Sequence, residues 1–170
     1  KMYNCGPTVY NFAHIGNFRA YVCSDILKRY LEYKDFKVLQ VMNLTDVDDK
    51  TIKGSKGSSL KEFTEKYTKA FFEDIDTLKI RRADNFPRAT EHIREMIDII
   101  SKLDKKGYTY LADGSVYFSV SKFANYGKLA RLSMKNLKAG ASKRIDNDEY
   151  TKDSPQDFAL WKAYSPEDGD

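Results

Sequence analysis

The sequence predicts an α/β fold that opens on a strand–helix–strand unit with a parallel sheet and carries an inserted α+β segment. Three observations predict it. Two short strand candidates, 1–5 and 37–42, the second rich in branched residues, flank a stretch whose apolar residues step by four. A turn-rich segment holding Gly6, Pro7 and Gly16 joins the first run to that stretch. After Asn43 the pattern changes to two amphipathic helices and a hairpin. Hydrophobic residues at 41% and aromatics at 14% suffice to bury a core, which excludes a disordered chain. A length of 170 residues bounds the fold to one ordinary domain, or one domain with an insertion.

The elements follow in order. Lys1 to Cys5 reads as the first strand, running into a turn. Asn17 is the expected N-cap of a helix reaching about Tyr33, with Phe18, Val22, Ile26 and Tyr30 on its buried face and Cys23 packed in the core. Lys37 to Met42 alternates and is rich in branched residues, a second strand parallel to the first. Gly54 to Ser59 reads as a flexible loop without the glycine spacing of a phosphate-binding P-loop. Ser59 with Glu62 forms a capping box for a helix to about Leu78, whose stripe is Leu60, Phe63, Tyr67, Phe71, Ile75 and Leu78. A further helix from about Thr90 to Lys105 stops at Gly107. Tyr108 to Leu111, a turn at Asp113-Gly114, and Val116 to Val120 make a hairpin. The chain then turns loop-rich and basic, and ends on the short apolar run Phe158-Ala159-Leu160-Trp161 with a polar tail.

Charge and cysteine content narrow the class. Lys plus Arg number 29 against 25 Asp plus Glu, a net +4 that permits an anionic partner and does not demand one. Two cysteines exclude a disulfide scaffold and suit a reducing, cytoplasmic setting. No apolar run reaches the ~18 residues of a membrane span, and the first residues lack the apolar stretch of a secretory signal. The chain is read as beginning inside a fold.

Chemistry is expected between the first strand and the first helix, because parallel sheets bind ligands beyond the C-terminal ends of their strands. Gly16 allows close backbone approach, and the free N–H groups after it would attract an anion. His14 is placed either to donate to a phosphate or to cap the turn. Asp46, Asp48 and Asp49 read as caps of a turn and partners of Lys50, with a magnesium cluster as the alternative. Cys5, read from its residues alone, is a small buried hydrophobe or a ligand. The basic residues from Lys122 to Arg144, with Tyr126 for stacking, could approach RNA or simply solvate a face.

The string from Met2-Tyr3-Asn4-Cys5-Gly6-Pro7-Thr8 through His14-Ile15-Gly16-Asn17 resembles the opening of class I aminoacyl-tRNA synthetases, specifically the cysteinyl-tRNA synthetases. His14 to Asn17 matches the ATP-binding HIGH motif of that class. Asn43 to Lys50, Pro87 to Thr90, Tyr126 to Leu129, Ala139 to Ala141 and Asp157 to Lys162 resemble later blocks of the family, in order. The motif ends in Asn17 rather than a second His. Asn can still donate to phosphate or cap the helix, so the site is expected to survive with some cost in rate.

The resemblance implies a partial Rossmann-like (HUP-type) nucleotide-binding fold: residues 1–53 its first half, 54–155 a connective insertion, and 156–170 a return toward it. It implies ATP-dependent activation of L-cysteine and transfer to tRNA(Cys), with His14 and Asn17 catalytic. Thr8, His14, Gly16 and Asn17 would bind ATP, with Mg2+, while Cys5, Gly6 and Thr45 would bind cysteine. Cys5 would be one of four ligands of Zn2+, the others expected beyond residue 170. Zinc prefers a thiolate to a serine hydroxyl, a distinction that pocket shape alone makes poorly. The family's KMSKS loop and anticodon-binding domain have no counterpart in these residues, and Ser133-Met134-Lys135 is a superficial echo of that loop. The chain alone is therefore expected to be inactive and zinc-poor, the parent enzyme a monomer without a membrane. Two rival readings are a related ligase that joins cysteine to an amino sugar, and a non-catalytic RNA-binding fragment.

Overall fold

The computed structural model describes residues 1–131, 154 and 156–165. They fall into two compact units, one over Lys1–Ile93 and one beginning at Arg94.

In the first unit, β1 (Met2–Asn4) and β2 (Gln40–Met42) pair in parallel, Met2 opposite Gln40 and Asn4 opposite Met42. The connection between them is α1 (Ile15–Tyr33), so the expected strand–helix–strand unit is present. On the other side of β2, Val41 bridges Asn85 and Leu44 bridges Arg88, again in parallel. That third extended segment escaped the sequence reading because Pro87 and two charged residues interrupt its apolar pattern. Val9, Tyr21, Met42, Leu44, Phe71, Ile75, Ile80 and Ala83 form the core.

The orientation of α1 differs from expectation. Its buried residues are Tyr21, Asp25 and Lys28, whereas Val22, Ile26 and Tyr30 are exposed, and so is Cys23. Apolar spacing identified a stripe; the packed face is the neighbouring one, which carries charges that have partners. Asp25 accepts from Arg29 Nε at 2.8 Å and from the Arg81 N–H, and Lys28 Nζ meets Asp84 at 3.1 Å. Buried charges of this kind are tolerated only when paired in this way.

A short helix stands between β2 and the expected loop at Gly54 to Ser59. Asp48 caps α2 (Asp49–Gly54), accepting from the N–H groups of Lys50 and Thr51. Ser55 is buried, and a Cβ on Gly54 would stand 2.4 Å from the Phe63 ring, so a side chain there would have to displace that ring. Ser59 then caps α3 (Leu60–Thr77) through the Glu62 N–H, as the spacing predicts. Phe71 and Ile75 are buried as expected, with Thr64 and Thr68 between the aromatic positions, while Leu78 is half exposed. A 3₁₀ turn, Ala89–His92, leads into α4 (Ile93–Lys105).

The second unit contains the predicted hairpin, β3 (Thr109–Ala112) with β4 (Ser115–Phe118). Positive φ at Asp113 and Gly114 gives the doubly left-handed turn that matches strand twist. β5 (Phe158–Trp161) pairs antiparallel with β4, so this segment belongs to the second sheet. Buried Asp157 ties it there, accepting from the Val120 N–H at 2.8 Å and the Tyr110 hydroxyl at 3.1 Å. Tyr126 packs beside Phe118 and Phe158 and is not a free stacking platform. Lys135, Lys138, Lys143, Arg144, the echo at Ser133 to Lys135 and the block Ala139 to Ala141 lie outside the described residues.

Candidate functional site

Beyond the C-terminal ends of β1 and β2 the chain from Gly6 to His14 wraps a cavity of about 300 Å³. Gly6, Thr8, Tyr10, His14 and Asn17 line it, with Lys50 from α2 and Tyr67 and Phe71 from α3. This is where an open parallel sheet is expected to hold a ligand.

The sequence expected Asn17 to cap α1. Instead His14 is the N-cap, and the two residues form a reciprocal capping box. Nδ1 of His14 accepts the Gly16 N–H at 3.0 Å, and Asn17 Oδ1 accepts the His14 N–H at 3.1 Å. The N–H groups of Asn17 and Phe18 go to the His14 carbonyl. Two consequences follow. The amides that were to attract an anion are largely used by the helix's own cap. In a neutral ring whose Nδ1 accepts, the proton sits on Nε2, and Asn17 likewise keeps its Nδ2 as a donor. Both residues line the cavity with a donor to spare.

Gly16 does not line the cavity. A Cβ there would stand 2.8 Å from His14 Cε1, so its lack of a side chain makes room for the imidazole. Thr8 and Thr45 form a parallel bridge just past β1 and β2, reinforced by the Val9 N–H to the Thr45 carbonyl. Thr45 itself is not a lining residue.

Asn43 ties together Gly6 and Thr45, two of the residues expected to bind cysteine, and the sequence reading missed it. Its Oδ1 accepts from the Tyr3 hydroxyl at 3.0 Å and the Gly6 N–H at 3.1 Å, and its Nδ2 donates to Thr45 Oγ1 at 3.1 Å. A Cβ on Gly6 would stand 1.8 Å from the Asn43 carbonyl oxygen. The signal was available: an Asn directly after a strand is a side chain that ties loops. Cys5 is exposed beside this knot. Burial first, and then the Cys5 charge, raises the hydroxyl of Tyr3 above its ordinary value and pushes Tyr21 up to about 12.

Among the described residues no group of three or more His, Cys, Asp or Glu side chains could hold a metal ion. Their two thiols, Cys5 and Cys23, belong to no such group, and Cys5 with its described neighbours does not by itself fit a tetrahedral site. The acidic run has structural roles instead: Asp48 caps α2, and buried Asp46 accepts from the Thr90 N–H and hydroxyl. The Lys50 side chain stands over the Tyr10 ring, 5.0 Å from its centroid.

Proteins named cysteine–tRNA ligase from Brachyspira hyodysenteriae, Chlamydia pneumoniae and Methanosarcina acetivorans are 60%, 55% and 53% identical to the chain. The alignments cover 99%, 98% and 99% of it, and 36%, 35% and 36% of those relatives. The chain thus spans about a third of their length. Among the described residues no helix is long and apolar enough to cross a membrane. A match over residues 1–170 to the family described as tRNA synthetases class I (C) catalytic domain places the chain in that family, with its α/β architecture and parallel sheet.

Proposed function

We propose that this chain is the ATP- and cysteine-binding portion of a cysteine–tRNA ligase, its first 53 residues opening a Rossmann-like domain and 54–155 forming the insertion. The observation that carries this is the meeting of Thr8, His14 and Asn17 with Gly6 on one cavity at the strand ends. In the reaction, a carboxylate oxygen of cysteine attacks the α-phosphorus of ATP. The bond to the bridging β-phosphoryl oxygen breaks, giving cysteinyl-adenylate and pyrophosphate. The acyl group then passes to the 3′ end of tRNA(Cys).

His14 Nε2–H and Asn17 Nδ2 donate to phosphate oxygens, and their mutual capping fixes both donors before substrate arrives. Gly16 acts indirectly, by admitting the His14 ring. Thr45, Gly6 and Cys5, held around Asn43, form the cysteine side of the site. Cys5 would give one thiolate to a zinc ion whose other donors lie outside the described residues; such an ion would select a thiol over a hydroxyl. Mg2+ would accompany ATP. The parent enzyme is proposed as a cytoplasmic monomer.

The test is ATP–pyrophosphate exchange by the full-length protein. Cysteine should drive it and serine should not. Exchange driven by another amino acid, with cysteine inert, overturns the reading. Charging of tRNA(Cys) rather than an amino sugar then identifies the acceptor.

A further inference from the structure

We propose that Asn43 is a positioning residue for amino-acid binding: its amide fixes the Thr45 hydroxyl as a hydrogen-bond donor toward the substrate carboxylate. The inference rests on the reading of Gly6 and Thr45 as part of the cysteine side of the site. The backbone decides which way the amide faces. A main-chain N–H can only donate and an amide oxygen can only accept, so the Gly6 N–H, 3.1 Å away, identifies its partner as Oδ1. The Tyr3 hydroxyl, 3.0 Å from the same oxygen, donates its one proton there. The amide nitrogen is thereby turned the other way, 3.1 Å from Thr45 Oγ1. Asn43 directly follows β2 and Gly6 lies just past β1, so the amide spans the strand ends where this architecture receives ligands.

The contact with Nδ2 sets the polarity of Thr45. An amide nitrogen carries only donors, so Oγ1 accepts from it and the hydroxyl proton points away from Asn43. A threonine hydroxyl can otherwise rotate to give or to take; here its proton is committed outward before a ligand arrives. The main chain beneath it is held as well. The Thr45 N–H donates to the Pro7 carbonyl at 3.0 Å, and its carbonyl accepts from the Val9 N–H at 3.1 Å. The next residue, Asp46, is buried and accepts from the Thr90 N–H. Of the two charged groups of a free amino acid, the carboxylate accepts and the ammonium donates, so a hydroxyl offering its proton suits the carboxylate. An aspartate at position 43 would keep the acceptor for Tyr3 and Gly6 and lose the donor to Thr45.

The experiment measures cysteine-dependent ATP–pyrophosphate exchange by the full-length protein, by Asn43→Asp, Thr45→Val and Tyr3→Phe, and by the Asn43→Asp/Thr45→Val double variant. Asn43→Asp draws the Thr45 proton back onto its own carboxylate. KM for cysteine should rise about ten- to hundredfold, the effect of losing a hydrogen bond to a charged group, with KM for ATP within about twofold. Thr45→Val should give a rise of the same size, and adding Asn43→Asp to it should raise KM by no more than about twofold further. Repulsion between the new carboxylate and the substrate would survive in the Thr45→Val background, so a full effect there overturns the proposal. Tyr3→Phe introduces no charge and leaves Gly6 on the amide; it should raise KM for cysteine about threefold. An unchanged KM for cysteine in Asn43→Asp, or a parallel loss for ATP and cysteine with a lowered urea midpoint, also overturns the proposal. Should Asn43→Asp fail to fold, Tyr3→Phe and Thr45→Val decide, and an unchanged KM for cysteine in either counts against it. If the wild type exchanges with another amino acid and not with cysteine, the functional reading falls, and the same variants measured with that amino acid still decide the role of Asn43.

Discussion

At the scale of single residues, His14 holds two roles that can be separated. His14→Ala removes both the helix cap and the ring donor. It should lower stability by about 1 kcal/mol, the usual effect of losing a cap, and lower exchange about a hundredfold. His14→Asn restores a capping side chain without the imidazole. Urea unfolding should then return near to wild type while exchange stays depressed; recovery of both would reduce His14 to a capping residue. Gly6 is a simpler case. A methyl group there collides with the Asn43 carbonyl, so Gly6→Ala should destabilise the first unit by about 3 kcal/mol, seen as a lower urea midpoint.

At the scale of elements, α1 shows what the sequence made legible and what it did not. Its extent was readable from spacing and the motif, and so was the parallel pairing it connects. Its start was misassigned by three residues because imidazole is an uncommon cap and Asn a common one. Its buried face was misassigned because hydropathy ranks Lys28 and Asp25 as outward, and only tertiary structure brings Asp84, Arg81 and the Arg29 contact to them. The site divides in the same way. Thr8, His14 and Asn17 were legible as a motif, whereas Lys50 and Asn43 enter through contacts made across the fold.

The Lys28–Asp84 pair that anchors α1 also predicts a pH dependence. The Gln40 N–H, and secondly Lys28, hold the Asp84 carboxyl below its ordinary value. A depressed carboxylate contributes stability that is present above the unfolded-state value of about 3.9 and is lost as pH falls through the folded-state value. Asp84→Asn should therefore be less stable than wild type at pH 7. It should lose less stability than wild type as pH falls from about 5 into the acid range, when urea midpoints are compared.

At the scale of the molecule, the division after Ile93 gives two compact units that can each be followed by itself. Asp157 closes the second unit by binding a main-chain N–H and a tyrosine hydroxyl from inside a buried position. Asp157→Ala strands both donors, at about 2 kcal/mol. Hydrogen exchange should accelerate at the β4 and β5 amides and remain unchanged at β1 and β2. Acceleration across both sheets would mean that the units unfold together.

The crowding at Gly6 has a hereditary side. Every missense change of a glycine codon adds a Cβ, and at this position the first atom added would stand 1.8 Å from a backbone oxygen that no rotamer can move. At that cost in stability, selection should hold the codon to its synonyms. Lineages carrying this turn beside Cys5 would therefore inherit it intact, and a saturation library selected for growth should return position 6 as glycine alone.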